Sequence, residues 1–187
     1  MNYRFALVLL LAIVAPAALQ ADTPGWVVSE PDNAGFTAEF PSAPKNQVIT
    51  SPEATTSLWT ANSPDGDVRV VVSLTDFWID VTAEQELELA KTNFLKSAGG
   101  TLTSPAKRGT FPGPAGKKNL PSLVFDFETQ SGWEGRSRVI VDGNTTFQTV
   151  FFWAKRYDAA AALADFERTY RLVSRFRPQA PPAPTTQ

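Results

Sequence analysis

Two β-rich runs around a Gly-Asn turn constrain this chain more than anything else in it. Arg136-Ser137-Arg138-Val139-Ile140-Val141 leads into Asp142-Gly143-Asn144, and Thr145-Thr146-Phe147-Gln148-Thr149-Val150-Phe151-Phe152-Trp153 follows. A short turn of this make-up between two such runs predicts a β-hairpin. The second run is apolar enough to lie in the middle of a sheet. Asp158 is placed to cap a helix from Ala159 to about Tyr170, expected to fold back over that sheet with Leu163, Phe166 and Tyr170 on one face. Glu167 and Arg171 are spaced as an i,i+4 pair on another face.

Upstream segments repeat the theme. Trp26-Val27-Val28 reads as a short strand, broken by Pro31-Asp32-Asn33. Phe36, Ala38 and Phe40 alternate with Thr37 and Glu39, so this strand buries one face. Pro41 and Pro44 mark its terminus or a sheet edge, and Gln47 to Thr50 is a further strand candidate. Thr56 to Asn62 and Val68 to Phe77 flank Ser63-Pro64-Asp65-Gly66, a second hairpin. Thr82-Ala83-Glu84-Gln85 has the form of a capping box at the start of a helix, with Leu87, Ala90, Phe94 and Ala98 at helical spacing and Gly99-Gly100 as its stop. Thr101 to Phe111 reads as a strand broken at Pro105, and the Gly113 to Lys118 stretch as a loop. Leu123, Phe125 and Phe127 alternate with Val124, Asp126 and Glu128 in the next strand. Strands, helix, strands, helix, joined mostly by hairpins, predict an α+β domain: an antiparallel sheet flanked by helices.

The ends of the chain differ from this middle. Met1-Asn2-Tyr3-Arg4 is followed by an apolar run of 11 residues, Phe5 to Ala15, and then by Pro16 and small residues. The run is too short for a membrane-spanning helix and has the form of a secretory signal peptide. Cleavage is expected after Ala21, with Ala17 as the alternative, and the absence of Cys excludes a lipoprotein anchor. The expected organisation is a leader over 1–21, one domain over 22–177 and a Pro-rich tail over 178–187. A periplasmic or secreted location follows from that reading.

Composition narrows the chemistry. The 187 residues hold no Cys and no His. This removes disulfides, thiolate catalysis, Cys-ligated zinc and the commonest acid/base and transition-metal ligand. Net charge is −2, which gives no electrostatic reason to expect nucleic acid or an anionic membrane surface as partner. No cofactor and no metal is expected.

Gly35-Phe36-Thr37-Ala38-Glu39-Phe40-Pro41 resembles the opening F-x-x-x-F-P strand of the PsbP-like superfamily. The helix from Thr82, the loop Gly113 to Gly116, the hairpin Arg136 to Trp153 and Val173-Ser174-Arg175-Phe176 follow in the order seen in its bacterial relatives. The resemblance covers most of 35–176. It implies an antiparallel sheet between helices, an α/β/α sandwich. Members include extrinsic photosystem II subunits, Ran-binding transport factors and bacterial envelope proteins. They share a scaffold and bind partners differently, so the resemblance carries no functional residue across.

Any candidate site must stand on its own residues. Asp126, Glu128, Arg136 and Arg138 can meet across the Gly132 turn, either as a carboxylate site or as a cross-strand charge cluster. Nearby Arg keeps carboxylates ionised, which favours the cluster. Ser42-Ala43-Pro44-Lys45 and Ser104-Pro105-Ala106-Lys107 match S-x-x-K but carry Pro where a helix is needed. The Gly113 to Lys118 loop lacks Walker spacing. Lys107, Arg108, Lys117 and Lys118 could form a small patch for an anionic partner. Trp59 and Trp153 read as core, and Trp133, beside the Gly132 turn, as either core or semi-core, or an exposed partner contact. Asn144-Thr145-Thr146 is a glycosylation sequon by chance.

The reading preferred from sequence is an exported, non-catalytic envelope protein, monomeric or weakly oligomeric, that binds another protein. Its expected contacts are Trp133, Arg136, Arg138, Lys117 and Lys118. A small-ligand or lipid carrier and a carboxylate-dependent hydrolase are the alternatives.

Overall fold

The computed structural model describes residues 25–115 and 117–174. The predicted leader with its cleavage sites, Gly116, Arg175, Phe176 and the Pro-rich tail lie outside the described residues. Among the described residues, eleven strands and two helices follow in the order β1 (Val27–Ser29), β2 (Phe36–Phe40), β3 (Lys45–Thr50), β4 (Ala54–Asn62), β5 (Val68–Phe77), α1 (Ala83–Ala98), β6 (Gly100–Leu102), β7 (Lys107–Phe111), β8 (Leu120–Thr129), β9 (Trp133–Asp142), β10 (Thr145–Ala154), α2 (Ala160–Thr169) and β11 (Arg171–Leu172).

The main sheet has eight strands. Seven run in the order β3-β4-β5-β10-β9-β8-β6, and β7 also pairs with β8; every pairing is antiparallel. The predicted hairpin is its spine: β9 and β10 pair from Asp142↔Thr145 to Trp133↔Ala154, and β10 lies between β9 and β5. Gly143, at φ 61°, supplies the left-handed residue of the two-residue turn. The strand expected over Thr101 to Phe111 is two short strands, β6 and β7. Both pair with β8, and the break falls at Pro105 as read.

Period-two alternation sorts the side chains onto two faces. Val68, Val70, Val72 and Leu74 of β5 join Phe147, Phe151 and Ile140 on one face. That face is covered by α2, through Phe166, and by a second, three-stranded sheet, β1-β2-β11, whose Phe36, Ala38 and Phe40 point into the same cluster. This small sheet was not expected from the sequence; it forms because β2 pairs on one side with β1 and on the other with β11, just after α2. The opposite face presents Leu123, Phe125, Phe127, Val139, Val141, Val150 and Phe152 to Leu87, Ala90 and Phe94 of α1. The result is an α+β sandwich with one helix on each side of the main sheet.

Local details depart from expectation in three places. Thr82 is the N-cap of α1, yet its side chain makes no capping hydrogen bond, so the capping box does not form. At α2, Asp158 accepts from the Ala160 amide at 3.2 Å, and Ala159 is the N-cap. Glu167 does not pair with Arg171. It points instead to the sheet, and the Arg171 guanidinium donates to the Tyr170 carbonyl at 2.7 Å.

Candidate functional site

The face of β8 and β9 that looks toward α2 carries the even-numbered residues of both strands. The register puts Asp126 opposite Arg136 and Val124 opposite Arg138, and β7 extends the second row with Lys107 opposite Val124. Lys107, Val124 and Arg138 therefore form one cross-strand row. Strands lie about 4.8 Å apart, so the two cations start about 10 Å from each other, on either side of a half-buried valine. A cleft of about 260 Å³ opens over this row, bounded by Ser104, Lys107, Ser122, Asp126, Arg136 and Arg138.

The charges in the cleft are fixed by ion pairs. Arg136 holds Asp126 through two bonds, Nε to Oδ1 at 2.6 Å and Nη2 to Oδ2 at 3.2 Å. This fork geometry is the strong form of an arginine–carboxylate pair. It also raises the Arg136 pKa, the hydrogen bond to Asp126 being the main cause. Glu167 reaches down from α2, with Oε1 3.1 Å from Arg138 Nη2 and Oε2 3.7 Å from Arg136 Nη1. The Arg138 guanidinium also sits over the Phe111 ring, 5.4 Å from its centroid. Below, the Tyr170 hydroxyl is buried without a hydrogen-bond partner among the described residues, and burial pushes its pKa up. Lys107 is exposed and makes no ion pair among the described residues.

Of the four charges predicted to meet, Asp126, Arg136 and Arg138 do. Glu128 does not: it stands opposite Glu134 and bonds Lys155 at 2.8 Å. Its place is taken by Glu167, which sequence reasoning had paired along its own helix. The expected docking patch is divided. Trp133 lies on the α1 face, edge-on to Phe152 with centroids 6.5 Å apart and with the Arg69 guanidinium 5.9 Å from its ring centroid. Arg136 and Arg138 are on the other face. Lys117 binds Asp142 at 2.6 Å, at the far end of β9 from Trp133, beside exposed Lys118. The expected basic patch is divided too: Arg108 turns to the α1 side, where it meets Glu84 at 3.5 Å and Glu88 at 2.9 Å, while its neighbour Lys107 faces the cleft. Both S-x-x-K matches fall outside helices.

Two further carboxyls are buried. Asp76 is 5% exposed and its pKa is pushed up to about 6 by burial, against the opposing effect of the Thr145 hydroxyl, which donates to it at 2.8 Å. Glu86, 8% exposed in the first turns of α1, is pushed up to about 7 by burial, with Thr146 acting the other way. Thr145 and Thr146 are adjacent in β10 and point to opposite faces, so the sheet itself separates the two carboxyls. They cannot act together on one bond, as a glycosidase pair does. Among the described residues no group of three His, Cys, Asp or Glu is placed to hold a metal ion, and no helix is long and apolar enough to cross a membrane.

The sequence matches no protein-family profile and no curated protein. Its fold is similar to solved structures. The solution structure of cyanobacterial PsbP (CyanoP) from Synechocystis sp. PCC 6803 superposes with a TM-score of 0.50 at 9% identity, over 84% of this chain and 98% of that one. A crystal structure from Bacteroides thetaiotaomicron is similar at a TM-score of 0.34 and 13% identity, over 80% of this chain and 49% of that one. With the antiparallel register and a helix on each face, the first of these superpositions shows that the chain has the PsbP-like fold.

Proposed function

We propose that this protein is an exported, non-catalytic accessory module of the cell envelope that holds a partner protein at the cleft over β7, β8 and β9. The observation that carries this reading is the row Lys107–Val124–Arg138: an apolar floor between two cations, in a recess whose other charges are already paired. Mixed polar and apolar character is typical of non-obligate protein interfaces. Side chains held by ion pairs before a partner arrives lose little freedom on binding. The volume, about 260 Å³, lies below the roughly 300–1,000 Å³ of pockets that enclose a small molecule. This favours one inserted side chain of a protein over a carried ligand.

The test is an affinity capture from envelope extract with the mature protein and with a Lys107→Gln/Arg138→Gln double variant. A partner retained by the first and lost by the second supports the reading. Export is checked on the same material by mass spectrometry: an N-terminus at Asp22 or Ala18 is expected, and a membrane-retained chain starting at Met1 overturns it.

A further inference from the structure

We infer that the cleft recognises a single carboxylate, an acidic side chain or the C-terminus of a peptide, bridged between Lys107 and Arg138 above Val124. This rests on the reading of the cleft as a binding site and adds the chemistry of what enters it. The charge count sets the class. Three cations, Lys107, Arg136 and Arg138, face two carboxylates, Asp126 and Glu167. One positive charge is left over, which matches a monovalent anion and not a dianion.

The donors point the same way. Arg136 is mostly committed: Nε and Nη2 bond Asp126 in a fork, and its charge is further shared with Glu167, 3.7 Å from Nη1. Arg138 spends only Nη2 on Glu167. A guanidinium has five N–H donors, so its Nε and Nη1 edges remain to bind an oxygen. Phe111 under the guanidinium and Glu167 at one end fix its orientation. The Lys107 ammonium, on a flexible stem from two strands away across Val124, can close on the second oxygen. Space is available beside them because β7 has Gly109 opposite Ser122: a Cβ built at position 109 meets only Ser122 Oγ, at 3.9 Å. A larger side chain there would project over the cleft with no clash against the backbone.

The probes are two short blocked peptides, one with a central Glu (Ac-Gly-Glu-Gly-NH2) and one with Gln in its place, together with Ac-Gly-Gly-Gly carrying a free C-terminus and inorganic phosphate. Each is titrated into the isotope-labelled mature protein while amide and Arg Nε resonances are followed. The Glu peptide or the free C-terminus is expected to shift Val124 and Arg138 saturably, the Gln peptide not. Which of the two shifts more tells a side chain from a terminus. Lys107→Gln should weaken the binding about fivefold, the effect of one charge at about 4 Å in water. Gly109→Val should abolish it at unchanged melting temperature. Equal shifts from the Glu and Gln peptides, tighter binding of phosphate than of any carboxylate, or unaltered binding by Gly109→Val would each overturn the inference. The two readings fail separately. Saturable peptide binding without a captured partner leaves the carboxylate site and removes the partner; a partner captured by the parent and lost by the double variant, with no response to any carboxylate peptide, does the reverse.

Discussion

The ring of Phe127 occupies the space that a side chain at position 135 would fill. Phe127 stands opposite Gly135 across the β8–β9 ladder, and Phe152 stands opposite Gly135 on the other side. A Cβ on residue 135 would come within 2.8 Å of Phe127 Cε1 and of the Phe151 carbonyl oxygen. With that space empty, Phe127 leans across to meet Phe152 at 5.4 Å and Phe94 of α1 at 4.8 Å, both edge-on. Gly135→Ala is therefore expected to destabilise the fold by about 1–3 kcal/mol through overpacking, measured by denaturant unfolding. An unchanged midpoint would show that the ring is free to move aside.

Trp133 belongs to the same cluster, so its truncation should act on stability and not on the cleft. It is half-buried, and the loss expected for Trp133→Ala is about 2–3 kcal/mol, below the roughly 3–5 kcal/mol typical of a fully buried aromatic. Carboxylate-peptide binding should stay as in the parent protein, because the sheet lies between this residue and Arg138. A stable variant with impaired binding would return Trp133 to the interface.

Asp76 and Glu86 predict how stability varies with pH. Each carboxyl binds its proton more tightly in the folded chain than in the unfolded one: about 6 against 3.8 for Asp76, and about 7 against 4.5 for Glu86. Their stabilising contribution is fully present below the unfolded values and is lost as pH rises through the folded ones. Stability should fall between about pH 4 and pH 7.5, by at most about 3 kcal/mol per carboxyl. The double variant Asp76→Asn/Glu86→Gln should flatten that slope in melts taken across the range. A slope that survives the double substitution assigns it to other groups.

Glu167 ties α2 to the sheet while it competes with any incoming anion. Replacing it with Gln removes a partly exposed pair with Arg138 at 3.1 Å and a looser one with Arg136 at 3.7 Å. A loss of about 0.5–1 kcal/mol is expected in thermal melts. Affinity for the Glu peptide should rise about fivefold, because one negative charge leaves the cleft. Weaker peptide binding would instead show that the hold of Glu167 on Arg138 outweighs its competing charge.

Much of this was legible in the sequence for a physical reason. Alternation such as Val68-Val70-Val72 or Leu123-Phe125-Phe127 is imposed by burial of one face, and it survives any tertiary arrangement that keeps that face dry. The separation of Trp133 from Arg136 was also written there: three positions along a strand is an odd step, which reverses the face. It was missed because Trp133 was read with the turn and not with β9. Glu167 could not be found the same way. Its partners depend on how α2 lies across β9, and helix spacing offered Arg171 as an equally good partner. The small sheet was hidden because β11 is only two residues long and its pairing with β2 joins segments from the two ends of the fold.

The position of β10 has a consequence in time. β5 pairs with β10 along its whole length, and the Ser73 hydroxyl donates to the Gln148 carbonyl at 3.5 Å across 75 positions of sequence. Until β10 is present, the inner edge of β5 has no neighbour. Closing so long a loop before any of its contacts form slows folding. A chain delivered in order from its N-terminus would stay incomplete, with an open and strongly apolar strand edge, until residue 154 has emerged. The main sheet of this design can close only once β10 is delivered to join β5 to β9.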